Sequence, residues 1–481
     1  MKKNTKLEKA IDFLAVIIIL FFGFYITNLH FEKILYIEYP GFDDFLHLNK
    51  AKFISESNFL NLGWSTFEEN RGKALLPHYA PLYHIFLAFL LKIGLMPENI
   101  IFRILNLLPS ISSYFIFYFF TKKYLKQEIA FFSLLCFLSS PIMFAQSQLI
   151  HPDSFFILTS VLMLVAFMDI LLNKNNSNWK RNGLLFFLAI FTKYNAAAVI
   201  FSLFLILIIK KIKFDYKPFI FSGILFGIWL ILLALGMFLN KMPLSYMGNI
   251  LSDVSVGRPD WDFFIEIFST FGFFLPILSI FSIYSAFKIK KSQNILFSFP
   301  FFFLLIYLII TNHFDWRFFI PIFPLLSVSS GISLKEIFEL IKSEFKIKFE
   351  FPLNNIPVIL IFILLFGFLN SSLRNIVIFK WVLPTGVYNV VDYMLKNENT
   401  TNIICHHPFM VFWYDKNNKI NSISQNINDI NNISHIIIIN PWCKTSLDYY
   451  TNVCRKLSSY ELENKIKFVY MNQQTVLYKT I

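Results

Sequence analysis

The chain has 481 residues, of which 56% are hydrophobic, 19% aromatic and only 15% charged. A soluble globular protein would carry about a quarter charged residues, so this class is excluded. The net charge of +13 does not mark a nucleic-acid surface, because Lys and Arg sit mainly in short clusters between apolar runs.

Apolar runs predict membrane spans at 11–29, 101–121, 129–146, 153–172, 183–194, 196–209, 218–239, 263–287, 295–312, 317–333 and 354–371. The first run lacks a following small-residue cleavage site and reads as a retained anchor. The stretch PLYHIFLAFLLKIGL (81–95) is too short to cross and is expected to lie in or dip into the outer interface. The long run 183–209 is read as two short helices turning at FTKYN.

This division puts MKKNTK, KKYLK, KNNSNWKR, KKIKFDYK, KIKK and KSEFKIK on one side, which the positive-inside rule makes cytoplasmic. The segment 30–100, HPDS, FTKYN, 240–262, NHFDW and everything after 371 then fall outside. From about residue 385 the composition turns to Asn, Lys and Asp, with β-like runs TNIIC, HIIIIN, KFVYM and TVLYK and a helical stretch VYNVVDYMLKN. The expected architecture is an all-α polytopic membrane protein of about 11 transmembrane helices. It has a large first outer loop with juxtamembrane helices and a small C-terminal α/β domain outside. The domain boundaries are 1–371 (outer loop 30–100) and 372–481. No internal repeat stands out, and this disfavours repeat-built transporter folds.

Of the four cysteines, Cys136 lies in an apolar run, and Cys405, Cys443 and Cys454 in the polar C-terminal region. No C-x-x-C spacing supports zinc. A Cys443–Cys454 bridge is compatible with an oxidising compartment and leaves Cys405 over.

Polar groups on the outer side are few. In EYPGFDDFLHLNKAKF, Asp43 and Asp44 follow a Pro-Gly break at the start of a helical stretch. One Asp there is an ordinary N-cap, and two exceed that need. Helical spacing puts Asp43, His47 and Lys50 on one face, an arrangement suited to accepting a proton from an incoming hydroxyl. Capping and catalysis both remain open for the pair at this point. HPDS places His151 and Asp153 at the opening of a span, where Asp153 also reads as a cap. Lys193 in FTKYN is costly at membrane depth unless it is paired, functional or snorkelling. NHFDWRFFIPIFP brings His313, Asp315 and Arg317 to a span start, and Arg317 suits bidentate phosphate binding. RGKALLPHYAPLYH carries Arg71, Lys73, His78 and His84, but the His78–His84 spacing across Pro81 is not a metal-ligand pattern.

Acids to deprotonate an acceptor, with cations to hold a phosphate, suit group transfer from a membrane-embedded phospholipid carrier. A phosphate leaving group needs electrostatic stabilisation by Lys and Arg rather than a general acid. Two other readings are a lipid-linked oligosaccharide ligase or polymerase, and a non-enzymatic transporter or flippase. The transporter reading is disfavoured because the notable charges sit at span ends.

In order, Phe42-Asp43-Asp44, Ala80-Pro81-Leu82-Tyr83, FRILNLLPS with Arg103, Asp153, Thr192-Lys193 and Arg317-Phe318-Phe319-Ile320-Pro321 through Pro324 resemble the C-type superfamily of membrane glycosyltransferases. The likeness is greatest to the protein O-mannosyltransferase and aminoarabinose-transferase-like group, and it covers about the first 335 residues. It implies inverting transfer from a polyprenyl-phosphate sugar to a lipid, glycan or protein acceptor among membrane lipids. Asp43 would be the base and Asp44 its support. Asp153, His151, Lys193, Arg317, His78, Tyr83 and Arg103 would bind substrate. The second acid is Asp where Glu is frequent, and Tyr79-Ala80 replaces the usual residues before Pro81. Some members use a divalent cation such as Mg or Mn; no ligand motif here supports one.

Overall fold

The computed structural model describes residues 5–34, 47–48, 50–52, 54–55, 80–94, 98–138, 140, 152–172, 178–239, 294–311, 316–344, 387–397, 402–405, 422–424, 433–439, 459–460, 463, 465–472 and 475–480. The chain divides into two compact units. One comprises 1–31, 77–83 and 103–379, and the other 32–76, 84–102 and 380–481.

The helices of the first unit are α1 (Thr5–Ile34), most of α3 (Glu98–Tyr124), α4 (Gln127–Leu138), α5 (Pro152–Leu172), α6 (Trp179–Thr192), α7 (Ala196–Ile209), α8 (Lys217–Leu239), α9 (Asn294–Thr311) and α10 (Phe323–Glu344). The helix α2 (Leu82–Ile93) begins in this unit and continues into the second. Among the described residues, four stretches are long and apolar enough to cross a membrane: Ile104–Tyr124, Pro152–Leu172, Lys217–Leu235 and Phe319–Ile337. The apolar helices Leu82–Ile93, Gln127–Leu138, Ala196–Ile209 and Ile295–Ile306 are shorter. The expected spans 263–287 and 354–371 lie outside the described residues.

Side-chain chemistry explains which helices sit inside. Buried residues run almost continuously along α5, whose polar members Asp153, Ser154, Thr159, Ser160 and Asp169 are buried with the rest. By contrast α8 leaves Ile220, Ile224, Ile228, Ile231 and Leu235 exposed, an aliphatic stripe at helical spacing. The core joins Phe117, Phe137 and Phe323 from three different helices, with ring centroids 4.3 Å apart for Phe117–Phe137 and 4.9 Å for Phe137–Phe323.

Close approach of α10 to α4 depends on Gly331. A Cβ added there would meet Ser133 Oγ at 2.1 Å, the Ser133 amide nitrogen at 2.7 Å and the Ile129 carbonyl at 2.9 Å. Two carboxylates grip α3 near its C-terminal end. Asp12 of α1 accepts from Tyr118 and Lys122, while Asp169 of α5 accepts from Tyr124, Arg181 and Asn182.

The run 183–209 is indeed interrupted. Asn178 caps α6 by accepting from the Arg181 amide, and the helix stops at Lys193, whose backbone is extended (φ −157°, ψ 124°). A Schellman-type turn closes α7, with Lys211 in the left-handed region at φ 53° and Ile212 N bonded to Leu207 O. The span expected at 317–333 is two pieces. A 3₁₀ segment, Trp316–Ile322, holds Pro321, and α10 then runs on to Glu344. Proline removes a backbone donor at 321 and sits near the helix start at 324, where that loss is harmless.

In the second unit the described residues between 47 and 55 are helical, with Leu48, Ala51 and Ile54 buried. The C-terminal part forms α11 (Val387–Asn397) and a five-stranded sheet, β1 (Asn402–Cys405), β2 (Ser422–Ser424), β3 (His435–Ile439), β4 (Ile466–Asn472) and β5 (Thr475–Thr480). The order is β2-β1-β3-β5-β4, parallel across β2, β1 and β3 and antiparallel across β3, β5 and β4. The near-continuous apolar runs NIIC and HIIII occupy inner positions, as strands covered on both faces require. Ile404, Ile436 and Ile466 form the core, and Tyr393 of α11 stacks on Tyr470 at 4.4 Å. Cys136 and Cys405 are buried; Cys443 and Cys454 lie outside the described residues.

Candidate functional site

The best-defined polar site starts at the first turn of α5. Pro152 fixes a helical φ without wasting a donor, and Asp153 puts its carboxylate at the positive end of the helix. Asp153 is fully buried, and its partner is Lys193 at the break between α6 and α7. Lys193 Nζ lies 2.6 Å from Asp153 Oδ1. It also stands 5.8 Å from the centre of the Phe156 ring, one turn along α5.

Neighbouring residues fix this arrangement. Ser154 Oγ donates to Asn106 Oδ1 at 2.9 Å, tying α5 to α3. Tyr83 at the start of α2 is fully buried, its ring 6.3 Å from that of Phe155. Across the break, Trp229 Nε1 donates to Tyr194 Oη at 3.1 Å, and Trp229 meets Phe191 edge-on at 5.0 Å.

Burying a carboxylate alone is costly, and removing one partner of a buried pair typically destabilises by about 3–5 kcal/mol. Here the ammonium neutralises the acid while its own side chain stays 20% exposed. An ammonium has three donor positions, and the Asp153 contact takes one. The pair is neutral overall, and its carboxylate holds Lys193 in place with donor capacity left for an anion.

A second polar cluster lies in the other unit. His47 Nδ1 and His84 Nε2 are 2.8 Å apart, with both rings fully buried. Lys50, on the same helical segment as His47, is 3% exposed, and burial pulls its ammonium from 10.5 down to about 7. The expected shared face of His47 and Lys50 is thus an inward one. His84 pairs with His47.

The remaining expected site residues are only partly visible. Arg103 lies within α3 and Arg317 within the 3₁₀ segment, and their side chains are outside the description. Asp43, Asp44, His78, His151, His313 and Asp315 lie outside the described residues. Among the described residues, no three His, Cys, Asp or Glu side chains converge on a place for a metal ion. Asn106, Tyr194, Trp229 and the His47–His84 pair were not anticipated. A histidine inside the apolar run LYHIFLAFLL was the available signal, since a buried imidazole needs a partner.

Residues 78–246 match the sequence profile of the dolichyl-phosphate-mannose-protein mannosyltransferase family. The matched segment contains Tyr83, Arg103, Asp153 and Lys193, and it starts after Asp43 and Asp44. The fold is similar to that of the archaeal oligosaccharyltransferase AglB from Archaeoglobus fulgidus, solved with an inhibitory peptide and a dolichol-phosphate. The TM-score is 0.61 at 13% identity, over 98% of this chain and 74% of that one. It is similar also to ArnT from Cupriavidus metallidurans bound to undecaprenyl phosphate, with a TM-score of 0.60 at 10% identity, over 97% of both chains.

The chain has the fold of the C-type membrane glycosyltransferases. The resemblance read from the ordered motifs is borne out by the family profile and by both structures. No curated protein matches the chain by sequence.

Proposed function

We propose that this protein is an inverting glycosyltransferase acting at the outer face of the membrane, moving a sugar from a polyprenyl-phosphate donor to a lipid, glycan or protein acceptor. The observation that carries the reading is the buried Asp153–Lys193 pair, which holds an ammonium with free donor positions within the segment that matches the mannosyltransferase profile. The phosphate-lipid ligands of AglB and ArnT support the donor class.

In this reading Asp43 accepts the proton of the acceptor hydroxyl, supported by Asp44. The hydroxyl oxygen bonds to the anomeric carbon as the bond from that carbon to the phosphate oxygen breaks. The electron pair leaves with the polyprenyl phosphate, and attack from the opposite side inverts the centre. Lys193 and Arg317 stabilise the departing charge, and no proton need be given to the leaving group. Tyr83, His78, Arg103, His151 and Asp153 line or support the substrate. The eleven-span topology belongs to the same proposal, with a cytoplasmic N-terminus, a domain boundary near 371 and the C-terminal sheet outside.

The similarity to AglB favours one second reading, in which the donor carries an oligosaccharide. Mass spectrometry of envelope glycans and glycolipids with and without the protein separates a single-sugar difference from an oligomeric one. Asp43→Asn is expected to abolish transfer from a polyprenyl-phosphate sugar while expression and membrane insertion persist. Near-normal turnover in that variant would remove the base assignment.

A further inference from the structure

We propose that His47 and His84 form a clasp whose work is to position the chain that carries Asp43 and Asp44, so that both are positioning residues for sugar transfer. The inference rests on the glycosyltransferase reading above and adds two residues to which that reading gives no role.

The geometry is that of a hydrogen bond between two rings. At 2.8 Å, His47 Nδ1 and His84 Nε2 are at N–H···N distance, one ring donating and the other accepting. Two imidazoles on one tetrahedral zinc, with Zn–N near 2.0–2.1 Å, would hold their nitrogens roughly 3.3 Å apart. Both rings are fully buried, so no water competes for the bond.

What the bond joins gives it a purpose. His47 and His84 are 37 residues apart, so the bond ties together two stretches distant in sequence. His84 belongs to the 12-residue α2, and His47 is one of the described helical residues between 47 and 55. A helix as short as α2 is marginal alone and depends on tertiary contacts. Leu48, Ala51 and Ile54 on one element and Leu87 and Ala88 on the other are buried, but apolar contacts are non-directional. The His–His bond supplies a fixed register. Asp43 precedes His47 by four residues. The extended chain between them spans at most about 14 Å, so fixing His47 limits where the acid can go.

The side-chain atoms define a test. Asn places an amide nitrogen or oxygen close to the position of a His Nδ1, and Gln close to that of an Nε2. In the full-length protein in bilayers, His47→Ala and His84→Ala are expected to lower kcat at least tenfold, with donor KM changed less than twofold. The double Ala variant should be no worse than either alone. His47→Asn and His84→Gln, singly or together, should retain turnover within threefold of wild type. Solid-state NMR of histidine-labelled protein should show one Nδ1–Nε2 hydrogen-bond correlation that either Ala change removes.

Several outcomes overturn the clasp: Ala variants with normal kcat, a rise in KM alone, Asn and Gln variants as inactive as Ala, or bound zinc lost on His84→Gln. Asp43→Asn is assayed alongside. If it stays active, the base assignment fails. If it is inactive while the Ala variants turn over normally, that assignment stands and only the clasp is lost.

Discussion

Lys193 Nζ and Asp153 Oδ1 meet at 2.6 Å, across 40 residues of sequence, where the broken α6–α7 run faces the first turn of α5. Asp153 is fully buried, so the energetics are those of a desolvated pair rather than a surface one. Asp153→Leu or Lys193→Met alone should cost about 3 kcal/mol by removing one partner of a buried pair. The double variant should recover at least about 1 kcal/mol of the summed loss. Thermal unfolding in detergent measures this coupling, and strict additivity would show that the two groups act independently. Donor kinetics on Lys193→Ala should show a weaker apparent affinity for the polyprenyl-phosphate sugar with little change toward the acceptor.

The sequence exposed this site in part, and the reason is physical. Pro-Asp at a helix start and Lys-Tyr-Asn inside an apolar run are local departures from a hydrophobic pattern, so Asp153 and the α6–α7 break were both legible. That the two would pair was not, because the contact is tertiary. The His47–His84 bond escaped for the same reason: its partners belong to different elements, and spacing along one helix points to His47 and Lys50 instead. The expected span ends at 333, whereas the helix α10 continues to Glu344. Apolar content marks where lipid or core lies, whereas a helix ends where its backbone bonds end. LKEIFELIKSE is polar enough to leave the apolar window and still a good helix former. The β-like runs after residue 400 were legible because strands with continuous Ile stretches differ sharply from the Asn- and Lys-rich chain around them.

Gly331 offers a test of the α10–α4 approach. In an exposed helix, Gly→Ala stabilises by roughly 1 kcal/mol. Here the new methyl would sit 2.7 Å from the Ser133 amide nitrogen and 2.9 Å from the Ile129 carbonyl oxygen, neither of which can rotate away. Gly331→Ala should therefore destabilise by about 1–3 kcal/mol, reversing the propensity effect. Adding Ser133→Gly removes the hydroxyl clash at 2.1 Å but leaves both backbone contacts, so rescue should be incomplete. Melting temperatures of the two variants decide the matter. A stabilised Gly331→Ala protein would mean the helices stand further apart.

Lys50 predicts how stability depends on pH. Burial lowers its pKa from 10.5 to about 7, so between those values the unfolded chain carries a proton that the folded protein has released. Stability must then rise with pH across that window, because the unfolded state binds more protons. Below about pH 7 both states are protonated and the cost of the lowered pKa is present in full. At about 1.4 kcal/mol for each unit, that cost is on the order of 5 kcal/mol as an upper bound. Lys50→Met keeps most of the side-chain volume and removes the charge. Its thermal midpoint should exceed that of the wild type by a clear margin at pH 6, and the margin should shrink steadily toward pH 9.5. His47 lies three residues earlier on the same helical segment, so the comparison is repeated in a His47→Asn background. If the margin is the same at both pH values, the Lys50 ammonium stays protonated throughout, held by water or a counter-charge.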